Sequence, residues 1–174
     1  MMKNIYLACG AVAVVSLAAC QSMEQGTGQK ASANLESRSS SNAKGSVNFV
    51  WQGNDVLVTG NFSGLKPNSE HGFHVHEKGD CSAPDATSAG GHFNPDTKAH
   101  GMPGSGSNHA GDLPNIVIDE TGNGTLEAVT TRVTLSEGPL CILSGEGSAL
   151  MIHANQDPYK GGEHMSGVSG GPRI

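Results

Sequence analysis

The alternation of apolar residues between Val47 and Phe62 constrains this chain more than any other feature. Val47, Phe49 and Trp51 occupy every second position, the turn QGND follows, and Val56, Val58, Gly60 and Phe62 resume the period. A period of two sends successive side chains to opposite faces of a strand, and two such runs around a Gly-Asn turn make a hairpin. A third strand is expected over 71–76, with Phe73 and Val75 on one face and His74 and His76 on the other. NIVID, TLEAVTTRVTL and ALMIHA supply further strands. From Glu77 to Pro114 no period is sustained, and Gly, Pro, Asp, Ser and Asn abound. A stretch of that length without regular structure inside a compact domain is usually functional. Apolar residues are 36% of the chain, aromatic residues 4%, and 25 residues are glycine. That composition suits one small all-β domain with long loops, not a helical bundle.

The chain opens with Lys3 followed by an apolar run from Ile5 to Ala19. The run is too short for a spanning helix and reads as a secretory signal over residues 1–19. Leu17-Ala18-Ala19-Cys20 resembles the bacterial lipobox, which implies cleavage before Cys20 and lipid attachment to that cysteine. Several acyl chains anchor firmly where one does not. The expected location is the periplasm, attached to the cell envelope, with Gln21 pointing to the outer membrane. Residues 20–43 then read as the lipidated cysteine and a flexible Ser/Gln/Asn-rich tether, and residues 44–174 as the folded domain. The net charge of −6 argues against a nucleic-acid partner, because phosphate binding needs clustered Lys and Arg.

Eight histidines occur, and five of them (His74, His76, His92, His100 and His109) lie with Asp112 in one short stretch. A lone histidine is usually a hydrogen-bonded or solvated ring. Two at i and i+2 on a strand share a face and can grip one ion, and three more in a loop with nothing else to order it strengthen that reading. Imidazole suits zinc and copper, and three histidines with an aspartate suit tetrahedral zinc.

HGFHVHEKGDC, SAGGHFNPDTKAHG, HAGDLPN and MIHANQDPY resemble, in that order, the motifs of copper/zinc superoxide dismutases. The steps from His92 to His100, His109 and Asp112 are eight, nine and three, as in that family, and the resemblance runs from about Gly45 to the end. It implies a Greek-key β-barrel or sandwich, immunoglobulin-like, with long metal-binding and active-site loops. It implies copper on His74, His76, His92 and His153, zinc on His92, His100, His109 and Asp112, and His92 bridging the two. Asp157 matches a carboxylate that links a copper ligand to a zinc ligand. Arg173 matches a guanidinium that attracts the anion beside copper, with Lys78, Lys98 and Lys160 as further steering charges. The implied reaction is disproportionation of superoxide to oxygen and hydrogen peroxide, with His92 supplying a proton. A non-catalytic copper- and zinc-binding protein on the same scaffold is the alternative, and the oligomer is a monomer or a homodimer. His71 matches a structural position. The family continues past this arginine with a cysteine and a last strand, whereas this sequence stops at Ile174. Cys81, which matches half of the family's disulfide, is left with either no partner or Cys141, and a missing last strand leaves a strand edge unpaired.

Overall fold

The computed structural model describes residues 28–160 and 169–174. The signal segment, Cys20 and His164 lie outside the described residues. Among the described residues there are eight strands: β1 (Lys30–Leu35), β2 (Lys44–Trp51), β3 (Val56–Ser63), β4 (Glu70–His71), β5 (Phe73–His76), β6 (Ile116–Val117), β7 (Gly124–Thr130) and β8 (Ala149–Ile152). The alternating runs form the antiparallel hairpin β2–β3, closed by Trp51 opposite Val56. β7 pairs with the far edge of β3, giving a four-stranded sheet in the order β1-β2-β3-β7. Two ribbons, β4–β6 and β5–β8, complete an almost all-β architecture of antiparallel pairs, and the described strands do not close into a barrel.

The inward row Val47, Phe49, Trp51, Val56, Val58 and Phe62 packs against Phe73, Val75, Ile116 and Ile152 from the ribbons. Phe62 meets Phe73 edge to face, with ring centroids 5.4 Å apart, a favoured aromatic geometry. One core therefore joins the sheet to the strand that carries the first two histidines. Leu113 and Ala110 extend that core into the long loop. Among the described residues no helix is long and apolar enough to cross a membrane.

Three expectations need correction. Residues 30–35, read as tether, form β1, which pairs with β2 from Lys30 opposite Val50 to Leu35 opposite Gly45. Ala31, Ala33 and Leu35 do alternate there, but small residues give a faint signal, and the open edge of β2 supplies the ladder. The single strand expected over 71–76 is two, interrupted at Gly72, with β4 pairing to β6 and β5 to β8. A Cβ on Gly72 would come within 3.3 Å of the Asp157 side chain and the His74 ring. Lastly, β7 ends at Thr130, and Val133 and Leu135 are buried from an irregular segment.

Cys81 and Cys141 are both free, so no disulfide joins them. Their surroundings differ: Cys81 packs beside Ala86, Ala89, Ala149 and Met151, whereas Cys141 is buried with its backbone bridged to Thr134. A groove of about 290 Å³ lies between β1 and β8, lined by Ala33, Leu35, Cys81, Leu150 and Ile174 among others.

Candidate metal centre

β5 is buried on both faces. Phe73 and Val75 belong to the core, and His74 and His76, exposed by 0% and 1%, face the other way. Burying two imidazoles is costly unless each finds partners. β8 delivers His153 alongside them, because Ile152 pairs with Phe73 and the chain continues directly into the histidine. The long loop folds back onto β5 through backbone contacts: Phe93 N–H donates to Val75 C=O, Val75 N–H to Gly111 C=O, and Gly111 N–H to Phe93 C=O, each at 2.8 Å. A Cβ at Gly111 would lie 2.2 Å from the Val75 carbonyl, so only glycine permits this approach. The contact sets His92 against β5, with its ring stacked on that of His74 at 4.0 Å.

Two four-residue clusters result, one of His74, His76, His92 and His153 and one of His92, His100, His109 and Asp112. Within each, the potential ligand atoms lie within 4.8 Å of one another, and His92 belongs to both. The first cluster is read from its unpartnered atoms. His74 Nδ1, His76 Nε2 and His153 Nε2 are buried and have no hydrogen-bond partner. Each ring's other nitrogen is engaged. His76 Nδ1–H donates to Gly90 C=O at 3.0 Å, His153 Nδ1–H donates to Gly171 C=O at 2.7 Å, and His74 Nε2–H donates to Asp157 Oδ2 at 2.8 Å. Those contacts fix the tautomers and leave three lone pairs converging, which is how metal-binding histidines are held.

The second cluster uses Nδ1 throughout. His92 Nδ1 is 2.9 Å from Asp112 Oδ1 and 3.3 Å from His109 Nδ1, while His100 Nδ1 and His109 Nδ1 are 3.1 and 3.4 Å from the same Asp112 oxygen. The edge of a tetrahedron of nitrogens around zinc is about 3.3 Å, given Zn–N distances of about 2.0–2.1 Å. The other Asp112 oxygen accepts from the backbone N–H of Gly101 and His109 at 3.2 and 3.0 Å, which aims the first at the ring nitrogens. Asp157, fully buried, accepts from His74 Nε2 and from His100 Nε2 at 3.0 Å, so one carboxylate touches both clusters.

Burial and neighbouring histidines hold His76 down to about 2 and His153 to about 3, against 6.5 for a free ring. Burial also lowers His92 to about 4, although Asp112 opposes it. His100 goes the other way: burial is outweighed by Asp112 and Asp157, which together raise it to about 9. For Asp112, burial is likewise outweighed, by His100, His109 and His92, and its carboxyl stays well below the usual range. His76, His92 and His153 thus stay neutral with free lone pairs, the state a metal needs.

Arg173 lies beside the first cluster, its backbone bridged to His153 and its guanidinium donating to the carbonyls of Ala86 and Gly90. Gly90 C=O thereby accepts from both Arg173 and His76. His71 stays outside both clusters; it is buried, donates Nδ1–H to His153 C=O at 2.7 Å and meets Ser69 Oγ through Nε2. Lys78, Lys98 and Lys160 are exposed. Residue type alone did not single out Gly90, whose carbonyl orients the His76 ring, or Asn115 and Tyr159, which touch the Asp157 that orients His74 and His100.

Residues 43–174 match the family model described as copper/zinc superoxide dismutase (SODC). A superoxide dismutase [Cu-Zn] 2 of Aquifex aeolicus is 43% identical over 117 residues, which cover 67% of this chain and 68% of that protein. A superoxide dismutase [Cu-Zn] 2 of Brassica juncea is 42% identical over 134 residues, covering 76% of this chain and 84% of the relative. Among solved structures, that of the clock protein EA4 superposes with a TM-score of 0.73 at 37% identity, covering 86% of this chain and 92% of its own. The chain belongs to the copper/zinc superoxide dismutase family. It is a superoxide dismutase, and its cofactors are copper and zinc.

Proposed function

We propose that His74, His76, His92 and His153 hold copper, that His92, His100, His109 and Asp112 hold zinc, and that His92 bridges the two. The observation that carries this reading is the set of three buried, unpartnered ring nitrogens facing one point beside a histidine that belongs to both clusters. Copper supplies a one-electron couple that first oxidises and then reduces superoxide, and zinc supplies fixed charge without redox chemistry. The protein's own groups do the rest. His92 Nε2 would carry the proton destined for peroxide only while it is released from copper, with the ring's Nδ1 still facing Asp112. The Arg173 guanidinium, already anchored to two carbonyls, offers its remaining donors to the anion. Asp157 keeps the His74 and His100 rings oriented. The reaction balances as two superoxide ions and two protons giving one O2 and one H2O2.

The test is metal analysis with a superoxide disproportionation assay on the mature domain. One copper and one zinc per chain, with turnover above that of free copper, are expected. A fully metallated preparation no faster than free copper would instead make the protein a copper- and zinc-binding module.

The location is part of the same proposal. The apolar run ending in Leu17-Ala18-Ala19-Cys20 supports a periplasmic lipoprotein attached through Cys20, with superoxide removal at the cell envelope as its proposed role. Cells fed labelled palmitate are expected to label the wild-type protein and not Cys20→Ser. Equal labelling of the two would rule out this anchor.

A further inference from the structure

Asp157 touches both clusters, yet no strand or helix holds it, and Pro158 offers no N–H to help. Its backbone is gripped by one side chain. Asn115 Oδ1 accepts from Asp157 N–H at 3.1 Å, and Asn115 Nδ2 donates to Asp157 C=O at 2.9 Å. A planar amide thus pairs with both backbone groups of one residue, using an acceptor and a donor together. Asn115 is itself fixed, because its N–H donates to the Tyr159 hydroxyl at 2.6 Å and that hydroxyl donates onward to Leu113 C=O at 3.4 Å. Tyr159 closes the ring of contacts by donating its N–H to Asp157 Oδ1 at 2.8 Å. To do so it adopts φ 53°, a left-handed conformation that bulky residues rarely occupy. Such strain persists only where the surroundings over-determine it, and it concentrates at functional sites.

We infer that Asn115 and Tyr159 are positioning residues: they clamp Asp157 so that its carboxylate addresses His74 and His100 at once, and thereby couple the geometry of the two metal sets. Neither residue hydrogen-bonds a ligand ring. Asn115 lies three residues past Asp112, so the clamp also ties the end of the long loop to the segment after β8. The inference rests on the copper and zinc assignment above.

The experiment compares the full chain with Asn115→Ala and Tyr159→Phe. Zinc affinity is measured by chelator competition, the zinc set by the visible spectrum of bound Co(II), and the copper set by Cu(II) electron paramagnetic resonance. Asn115→Ala is expected to weaken zinc binding about 10–100-fold, the usual effect of removing a partner that orients ligands. It is also expected to change the Cu(II) hyperfine splitting, although Asn115 contacts no ring of that set. Tyr159→Phe, which deletes one oxygen, is expected to move both readouts in the same direction by less. The double variant should bind zinc about as weakly as Asn115→Ala alone, because both act through one carboxylate. Zinc affinity within about twofold of wild type in both variants would overturn the clamp, as would an unchanged copper spectrum. If Asn115→Ala does not fold, the Tyr159→Phe result decides. A wild-type chain that takes up neither metal overturns the metal assignment and the clamp with it, whereas matched variants of a metal-binding wild type overturn the clamp alone.

Discussion

Replacing His92 with alanine is expected to cost superoxide disproportionation at least about 10²–10⁴-fold, the range for removing a positioned proton donor. The reason is its double membership. The ring stacks on His74 at 4.0 Å while Nδ1 lies 2.9 Å from Asp112 and 3.3 Å from His109. Truncation removes one nitrogen from each set and opens the wall between them. The same variant should therefore also hold zinc more weakly, which separates it from a change that affects chemistry alone. Lys66→Ala, at an exposed position in the turn between β3 and β4, is the control and should keep its metals and nearly all its activity. Rates from pulse radiolysis, normalised to measured copper, decide the matter. A His92→Ala protein with both metals bound and undiminished turnover would remove His92 from the mechanism.

Mild acid is expected to unfold the metal-free protein. His76, His92 and His153 have folded values near 2, 4 and 3, below the 6.5 of the unfolded chain. Between those limits the unfolded chain binds protons that the folded rings refuse. Stability must therefore fall as pH drops from about 6.5 towards 4. Each tenfold difference in proton affinity between folded and unfolded chain corresponds to about 1.4 kcal/mol. Three rings thus carry on the order of several kcal/mol across that interval, comparable with the whole stability of a small domain. His100 has the opposite sign: its folded value near 9 contributes stability that is present below 6.5 and lost as pH rises through 9. The chelator-treated protein should be most stable near pH 6–7, with denaturant midpoints falling on both sides and more steeply towards acid. A midpoint that stays flat from pH 7 to 4.5 would contradict this assignment of neutral rings. Bound metals occupy the same lone pairs, so the loaded protein should resist acid until protons displace them.

The two histidines of β5 were legible because a period-two strand puts i and i+2 on one face, and because nothing else requires two imidazoles there. His92, His100, His109 and Asp112 were legible through their spacing and the family resemblance, not through periodicity, since their loop has none. Less could be read where residue types are generic. Asn115 and Tyr159 do their work through one amide and one hydroxyl; they end the HAGDLPN and MIHANQDPY motifs, but residue type alone does not show that they meet across the fold. β1 was hidden because Ala, Ser and Asn alternate without a strong apolar contrast, and its pairing depends on β2. Gly72 is a tertiary matter too: its backbone bonds Asn155 and His153, and a Cβ there would press on Asp157 and His74. TLEAVTTRVTL overran because Val133 and Leu135 keep the period of a strand while being buried from a loop.

With the chain anchored through Cys20 as proposed, β1 would also limit how far the domain could stray. With the ladder beginning at Lys30, only about ten residues separate the proposed lipid attachment at Cys20 from fixed structure. Even fully stretched, such a leash spans no more than about 33–36 Å. The domain would patrol a thin layer against the bilayer, not the depth of the compartment. Radicals emerging at the membrane face would meet it first, and those generated farther away would be left to other defences.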